Sequence, residues 1–215
     1  TSSPADRTVC STTSTTFTVV ATGTPAPTYQ WYRGTTSLTG ATNASLTIAS
    51  VATSDAGAYT CVVTNHCGSV TTAPALLEVR VAATIASHPA SQLNICSGTS
   101  ASFSVSANGT APFTYQWRKN GSNISGATSS SYTIASVATG DAGSYDCVVN
   151  NYCTSASGVT SNAAQLTVDV APVVTSSPAD RTVCSTTSTT FTVVATGTPA
   201  PTYQWYRGTT SLTGA

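Results

Sequence analysis

Asp55-Ala56-Gly57-Ala58-Tyr59-Thr60-Cys61 is the stretch on which the reading of this chain turns. An aspartate followed two positions later by glycine is turn chemistry, because the carboxylate accepts backbone N–H groups and glycine tolerates positive φ. Tyr59 to Val63 is then a β-rich run, so the turn delivers the chain into a strand. The same arrangement returns as Asp141-Ala142-Gly143-Ser144-Tyr145-Asp146-Cys147.

Working outward, the recurrence holds over whole units. Cys10, Trp31, Cys61 and Cys67 recur as Cys96, Trp117, Cys147 and Cys153, each displaced by 86 positions with no insertion between the first and last marker. A third copy opens with Cys184 and Trp205, and Thr175 to Ala215 repeats Thr1 to Ala41 residue for residue. The period is therefore two units of alternating type, with expected domains at 1–80, 81–170 and 171–215.

Each unit reads as short strands. Residues 14–22 alternate loosely, Thr24-Pro25-Ala26-Pro27 breaks the run, and Tyr29 to Tyr32 resumes it with Trp31. Arg33-Gly34 opens a turn, Ser45 to Ile48 alternates again, Asn65 to Gly68 makes a hairpin turn, and Val70 to Val79 is expected as the last strand. No helical period of useful length occurs. Short strands with turn signals every 8–12 residues or so imply an all-β sandwich or barrel.

Composition narrows the function. The chain has 215 residues, seven basic and seven acidic, and 7% of residues are charged, against about 25% in an ordinary soluble domain. No charged field exists to hold nucleic acid or an anionic membrane. No apolar run approaches the roughly 20 residues of a membrane-spanning helix, so no membrane insertion is expected. Seven cysteines and a single lysine, Lys119, point to an oxidising, extracellular or cell-surface setting. The first residues are polar, and no signal peptide is visible among them.

Asp55-x-Gly57-x-Tyr59-x-Cys61, with Trp31 on an earlier strand, resembles the F-strand and C-strand signature of immunoglobulin-like domains. Asp141, Gly143, Tyr145, Cys147 and Trp117 repeat it. The resemblance covers two complete units and the first half of a third. More narrowly, it is a resemblance to the tandem, intermediate-set-like repeats of large bacterial cell-surface and secreted proteins. It implies an all-β fold of tandem Ig-like β-sandwiches, two complete and one truncated. The core would hold Trp31, Tyr59 and Cys61, then Trp117, Tyr145 and Cys147, with each tyrosine hydroxyl bonded to backbone near its turn.

The cysteines depart from that family pattern. The strand-B position falls on Val19 and Val105, so Cys61 and Cys147 lack the usual partner and are expected as buried free thiols. In such a sandwich Cys10 and Cys67 lie at opposite poles, roughly 20 Å apart along strand F, too far for a disulfide. The pole where one domain ends faces the start of the next, which brings Cys10 toward Cys153. Cys67, Cys96 and Cys184 would take the same role with partners outside the chain. The competing reading is that these thiols are unpaired or bond between chains.

The half unit at 171–215 should not fold alone. Either the chain is a window on a longer periodic polymer, which is the reading adopted, or another molecule completes it. Little chemistry is visible: His66 and His88 stand alone, the acidic residues do not cluster, and no nucleophile–base pair or phosphate loop recurs. No catalytic or metal-ligating residue and no cofactor is expected. Sequons at Asn43, Asn108 and Asn123 are those a Ser/Thr-rich chain acquires by chance. The expected function is a structural segment of an extracellular fibre, stalk or adhesin shaft, whose partners are further copies of the same domains. The alternative is an adhesive module recognising glycan or protein through loops at one pole.

Overall fold

Gly57, at φ +147°, ends a single 3₁₀ turn over Thr53–Asp55 and starts the strand that organises the first sandwich. The computed structural model describes residues 1–214; Ala215, the end of the expected third segment, lies outside the described residues. The described chain divides into two compact units. One comprises 1–86 with 107–114 and 149–159; the other comprises 87–106, 115–148 and the chain from Thr160 onward.

In the first unit the strands are β1 (Arg7–Cys10), β2 (Thr15–Thr18), β3 (Thr28–Arg33), β4 (Thr36–Ser37), β5 (Ser45–Ile48), β6 (Gly57–Asn65), β7 (Gly68–Thr71) and β8 (Ala75–Arg80). One sheet runs β1-β8-β6-β3-β4, with β7 on the far half of β6, and β2 pairs with β5 in a second sheet. β1 lies parallel to β8, with Cys10 opposite Arg80. The expected single strand over Val70 to Val79 is instead broken at Thr72 to Pro74. Thr72 turns its hydroxyl inward to accept the Cys61 N–H at 3.0 Å, and Pro74 has no N–H to contribute to a ladder.

Phe17, Val19, Trp31, Val51, Tyr59, Cys61, Val63, Ala75 and Leu77 form the core. Phe17 stacks on Tyr59 with ring centroids 4.9 Å apart. The polar tips of the large rings are satisfied, as burial requires. Trp31 Nε1 donates to the Asn43 carbonyl at 2.9 Å, and the Tyr59 hydroxyl donates to the Asp55 carbonyl at 2.8 Å. Asp55 Oδ2 accepts the Ala52 N–H at 2.9 Å, which fixes the corner that β6 leaves.

The second repeat continues with β9 (Thr84–Ser87), β10 (Gln92–Cys96), β11 (Ala101–Ser104), β12 (Ser106–Asn108), β13 (Thr114–Lys119), β14 (Ser122–Asn123), β15 (Ser131–Ile134), β16 (Gly143–Asn150), β17 (Val159–Thr160) and β18 (Ala164–Ser176). Its sheet order is β10-β18-β16-β13-β14, and β11 pairs with β15. Phe103, Trp117 and Tyr145 are buried, with Trp117 Nε1 donating to the Ser129 carbonyl at 2.9 Å and the Tyr145 hydroxyl to the Asp141 carbonyl at 2.7 Å.

Asp169 to Thr175 spans the expected boundary between 170 and 171 and reads in sequence as a linker, yet β18 runs through it without interruption. Its latter half pairs with β19 (Val194–Thr198), Val170 opposite Thr198. The remaining segment carries β20 (Tyr206–Arg207) and β21 (Thr210–Ser211) as a short hairpin. Phe191, counterpart of the fully buried Phe17, is 49% exposed, because no second sheet covers it among the described residues.

Candidate functional site

The site with the most built structure lies in the first unit, where β1 ends. A turn follows Cys10: Thr13 donates its hydroxyl to the Cys10 carbonyl at 2.6 Å, and the Ser11 N–H donates to the Arg80 carbonyl at 2.7 Å. Cys10 is thereby fixed beside the last residue of β8. The loop 151–158 supplies Cys153, and the two form a disulfide with Cα atoms 5.6 Å apart across a sequence separation of 143.

An asparagine clamps the same place. Asn151 Oδ1 accepts the N–H of Cys153 and that of Ala83, each at 3.1 Å. Its Nδ2 donates to the Val81 carbonyl at 2.7 Å and to the Thr110 carbonyl at 2.9 Å. The side-chain amide therefore uses all four of its ordinary bonding positions. Val81 and Thr110 add two bonds: Val81 N–H to Thr110 Oγ1 at 2.8 Å and Thr110 N–H to the Val81 carbonyl at 3.0 Å. Arg80 stacks its guanidinium 4.7 Å from the Tyr152 ring centroid while Nε donates to Glu78 Oε1 at 2.8 Å. Gly109, at φ +128°, leaves room for this passage: a Cβ there would lie 2.7 Å from the Ala82 carbonyl oxygen.

The other expected positions separate by burial. Cys61 and Cys147 are free and wholly buried. Burial pushes the Cys61 thiol up and the Cys147 thiol up to about 11, so both stay protonated and unreactive near neutrality. Cys67, Cys96 and Cys184 are free and exposed. Trp31, Tyr59, Trp117 and Tyr145 are core residues with satisfied polar tips and are not available to a ligand.

The isolated histidines take different roles. His88 Nδ1 accepts the Asn162 N–H at 2.9 Å and so serves the fold of the second unit. His66 is exposed beside Cys67. Among the described residues, no three His, Cys, Asp or Glu side chains gather as a metal site, and no helix is long and apolar enough to cross a membrane. Asn43, Asn108 and Asn123 are exposed; Asn120 of a further sequon, Asn120-Gly121-Ser122, is engaged through Oδ1, which accepts the Ser144 N–H at 2.9 Å.

Sequence reasoning missed the asparagine clamp, the Arg80–Tyr152 stack and the inward turn of Thr72. A signal for the first was present. Asn65-His66-Cys67 and Asn151-Tyr152-Cys153 share an asparagine two residues before the cysteine, and in both loops its Oδ1 accepts the cysteine N–H. This geometry holds no general base, nucleophile or electrostatic cradle. It can lock a loop covalently and by hydrogen bonds to the end of a sandwich.

A family model described as Immunoglobulin domain matches residues 1–65 and 84–151. Endoglucanase C of Cellulomonas fimi is 40% identical over 111 residues, which is 49% of this chain and 10% of that protein. Roundabout homolog 1 of Homo sapiens is 33% identical over 159 residues, 72% of this chain and 9% of that protein. The chain thus spans about a tenth of the length of these curated relatives. Among solved structures, a three-Ig-domain fragment of titin superposes with TM-score 0.82 at 20% identity, covering 99% of this chain and 80% of that one. Extracellular domains 3-5 of Drosophila OTK give TM-score 0.56 at 23% identity, over 77% of this chain and 60% of that one. These two likenesses show the fold.

Proposed function

The chain belongs to the immunoglobulin domain family, and from that premise we propose that it is a non-enzymatic segment of an extracellular fibre, stalk or adhesin shaft. Its units are those of bacterial cell-surface or secreted repeat proteins, a reading supported by the 40% identity to the Cellulomonas fimi protein over 111 residues. The observation that carries the proposal is the Cys10–Cys153 disulfide set beside the Asn151 clamp. A crosslink between the first repeat and a loop of the second suits a molecule that must transmit load or hold its repeats in sequence.

The mechanism is mechanical. Strand ladders resist extension, and the disulfide prevents the first repeat from pulling away from loop 151–158 when those ladders yield. Free Cys67, Cys96 and Cys184 serve the same purpose toward neighbouring repeats. Formal net charge of +0 lets copies lie against one another without repulsion, so further copies of these domains are the natural partners. Imaging and intact mass of the native material test the proposal. A beaded filament of chains well above 21.6 kDa is expected; a compact particle of a single 21.6 kDa chain would refute it.

A further inference from the structure

Taking the repeated array of the preceding reading as its basis, we infer that Cys96 and Asp169 are the receiving half of a second kind of junction. Its other half is the loop Asn65-His66-Cys67-Gly68 of a further copy of the first repeat. A Cys96–Cys67 disulfide closes it, beside a contact between the Asp169 carboxylate and the His66 imidazole.

The receiving half is already built like the one that is occupied. Cys10 faces Arg80 across parallel strands, and Cys96 faces Asp169 in the same way. The Ser11 N–H donates to the Arg80 carbonyl at 2.7 Å, and the Ser97 N–H donates to the Asp169 carbonyl at 2.7 Å. The hydroxyls of Thr13 and Thr99 close the same turn on the carbonyls of Cys10 and Cys96, at 2.6 and 2.7 Å. Beyond the strand, Val81 bonds Thr110, and Val170 pairs with Thr198 at the equivalent place. The Cys96 thiol is exposed, and the Asp169 carboxylate makes no hydrogen bond or ion pair among the described residues.

The inserting half is equally prepared. Asn65 Oδ1 accepts the Cys67 N–H at 3.0 Å, as Asn151 Oδ1 does for Cys153 at 3.1 Å. Asn65 Nδ2 otherwise donates only to the Pro25 carbonyl, at 3.3 Å. One N–H is left over, matching the one that Asn151 gives to Val81. In the second junction it goes to the Val170 carbonyl. The bond that Ala83 makes through its N–H has no counterpart, because Pro172 stands there.

The side chains that differ between the halves differ together. Arg80 is matched by the aromatic face of Tyr152; at the second junction Asp169 replaces the arginine and His66 the tyrosine. An imidazole N–H facing a carboxylate is a donor meeting an acceptor. Crossed pairings are poorer: a carboxylate over the Tyr152 ring meets its negative face, and Arg80 opposite His66 leaves the imidazole N–H without the carboxylate that would accept it. The exchange therefore encodes repeat order by penalising the wrong neighbour.

Disulfide formation removes two protons and two electrons from the two thiols. A small disulfide such as oxidised glutathione accepts both and departs as two thiols, through one mixed disulfide. Trypsin separates the cysteines for a non-reducing map of the native material: Cys10 falls in Thr8–Arg33, Cys67 in Gly34–Arg80, Cys96 in Val81–Arg118 and Cys153 in Asn120–Arg181. The expected result is Gly34–Arg80 linked to Val81–Arg118. Alkylation of Cys67 without reduction, or its linkage to another peptide, overturns the inference even where a long array is present. A single 21.6 kDa chain would instead refute the array itself. Independently, in a glutathione redox buffer the 215-residue chain should form Cys67–Cys96 links between copies. Asp169→Arg should reduce their yield about five-fold while the Cys10–Cys153 peptide yield is unchanged. Equal yields, or random pairing among Cys67, Cys96 and Cys184, would overturn the pairing.

Discussion

Replacing Cys10 and Cys153 together by serine removes the crosslink without leaving a reactive thiol, and its cost follows from what the crosslink closes. When the first sandwich unfolds while the second repeat stays folded, Cys153 remains held near Val81 through Asn151. The loop then constrained runs from Cys10 to Arg80, about 70 residues, for which chain entropy gives about 4 kcal/mol. Unfolding both repeats frees the whole 143-residue separation and raises this only to about 5 kcal/mol. The dependence is logarithmic, so the estimate is insensitive to which repeat unfolds first. For a domain of this size each kcal/mol shifts the midpoint by about 4–8 °C. Because disulfides often deliver less than the entropy model gives, the double variant is expected to lose at least about 10 °C in the first thermal transition. Circular dichroism or calorimetry reads this, and hydrogen exchange should show faster exchange at the amides of Val81, Ala83 and Cys153. A midpoint shifted by less than about 2 °C, in a variant with native near-ultraviolet dichroism, would refute the reasoning.

Other consequences are open to measurement. Iodoacetamide at pH 8 should label Cys67, Cys96 and Cys184 in the folded chain, and Cys61 and Cys147 only after unfolding; mass spectrometry of the labelled peptides decides. Gly109→Ala should cost about 1–3 kcal/mol, since its Cβ meets the Ala82 carbonyl at 2.7 Å and its φ is +128°. Gly23→Ala should cost less, because there the neighbour, at 3.0 Å, is the flexible amide of Asn65; paired urea melts compare them. The folded Cys147 thiol keeps its proton up to about 11 while the unfolded thiol loses it near 9.0. Stability from this group is full below pH 9 and is lost as pH rises toward 11, and Cys147→Val should flatten that limb of the stability–pH curve.

Much of the fold is legible because each sandwich depends on few strong local signals. Asp55 and Gly57 announce the corner, Tyr59 the strand leaving it, and the offset of 86 repeats both in the second unit. The tandem immunoglobulin-like arrangement follows from these residues and agrees with the family match over 1–65 and 84–151. Strand limits are less legible where tertiary partners set them. Thr72 reads as an ordinary strand residue until the Cys61 N–H claims its hydroxyl, and 169–175 reads as a linker until Val194 to Thr198 pairs with it. The site is legible in its cysteines and obscure in its supports. The Asn-x-Cys spacing marks only the bond from Cys153 to Asn151; nothing local marks the clamp's bonds to Val81, Ala83 and Thr110, or Arg80 as the partner of Tyr152, because those contacts join residues some forty to seventy positions apart.

The covalent link between the first repeat and the second repeat's loop is what holds the proposed shaft together. A non-reducing tryptic map of the native material tests it most directly. Thr8–Arg33 disulfide-linked to Asn120–Arg181, with Cys61 and Cys147 recovered as free thiols after denaturation, is the predicted result. Recovery of Cys10 and Cys153 as free thiols, or bonded to other cysteines, would contradict it.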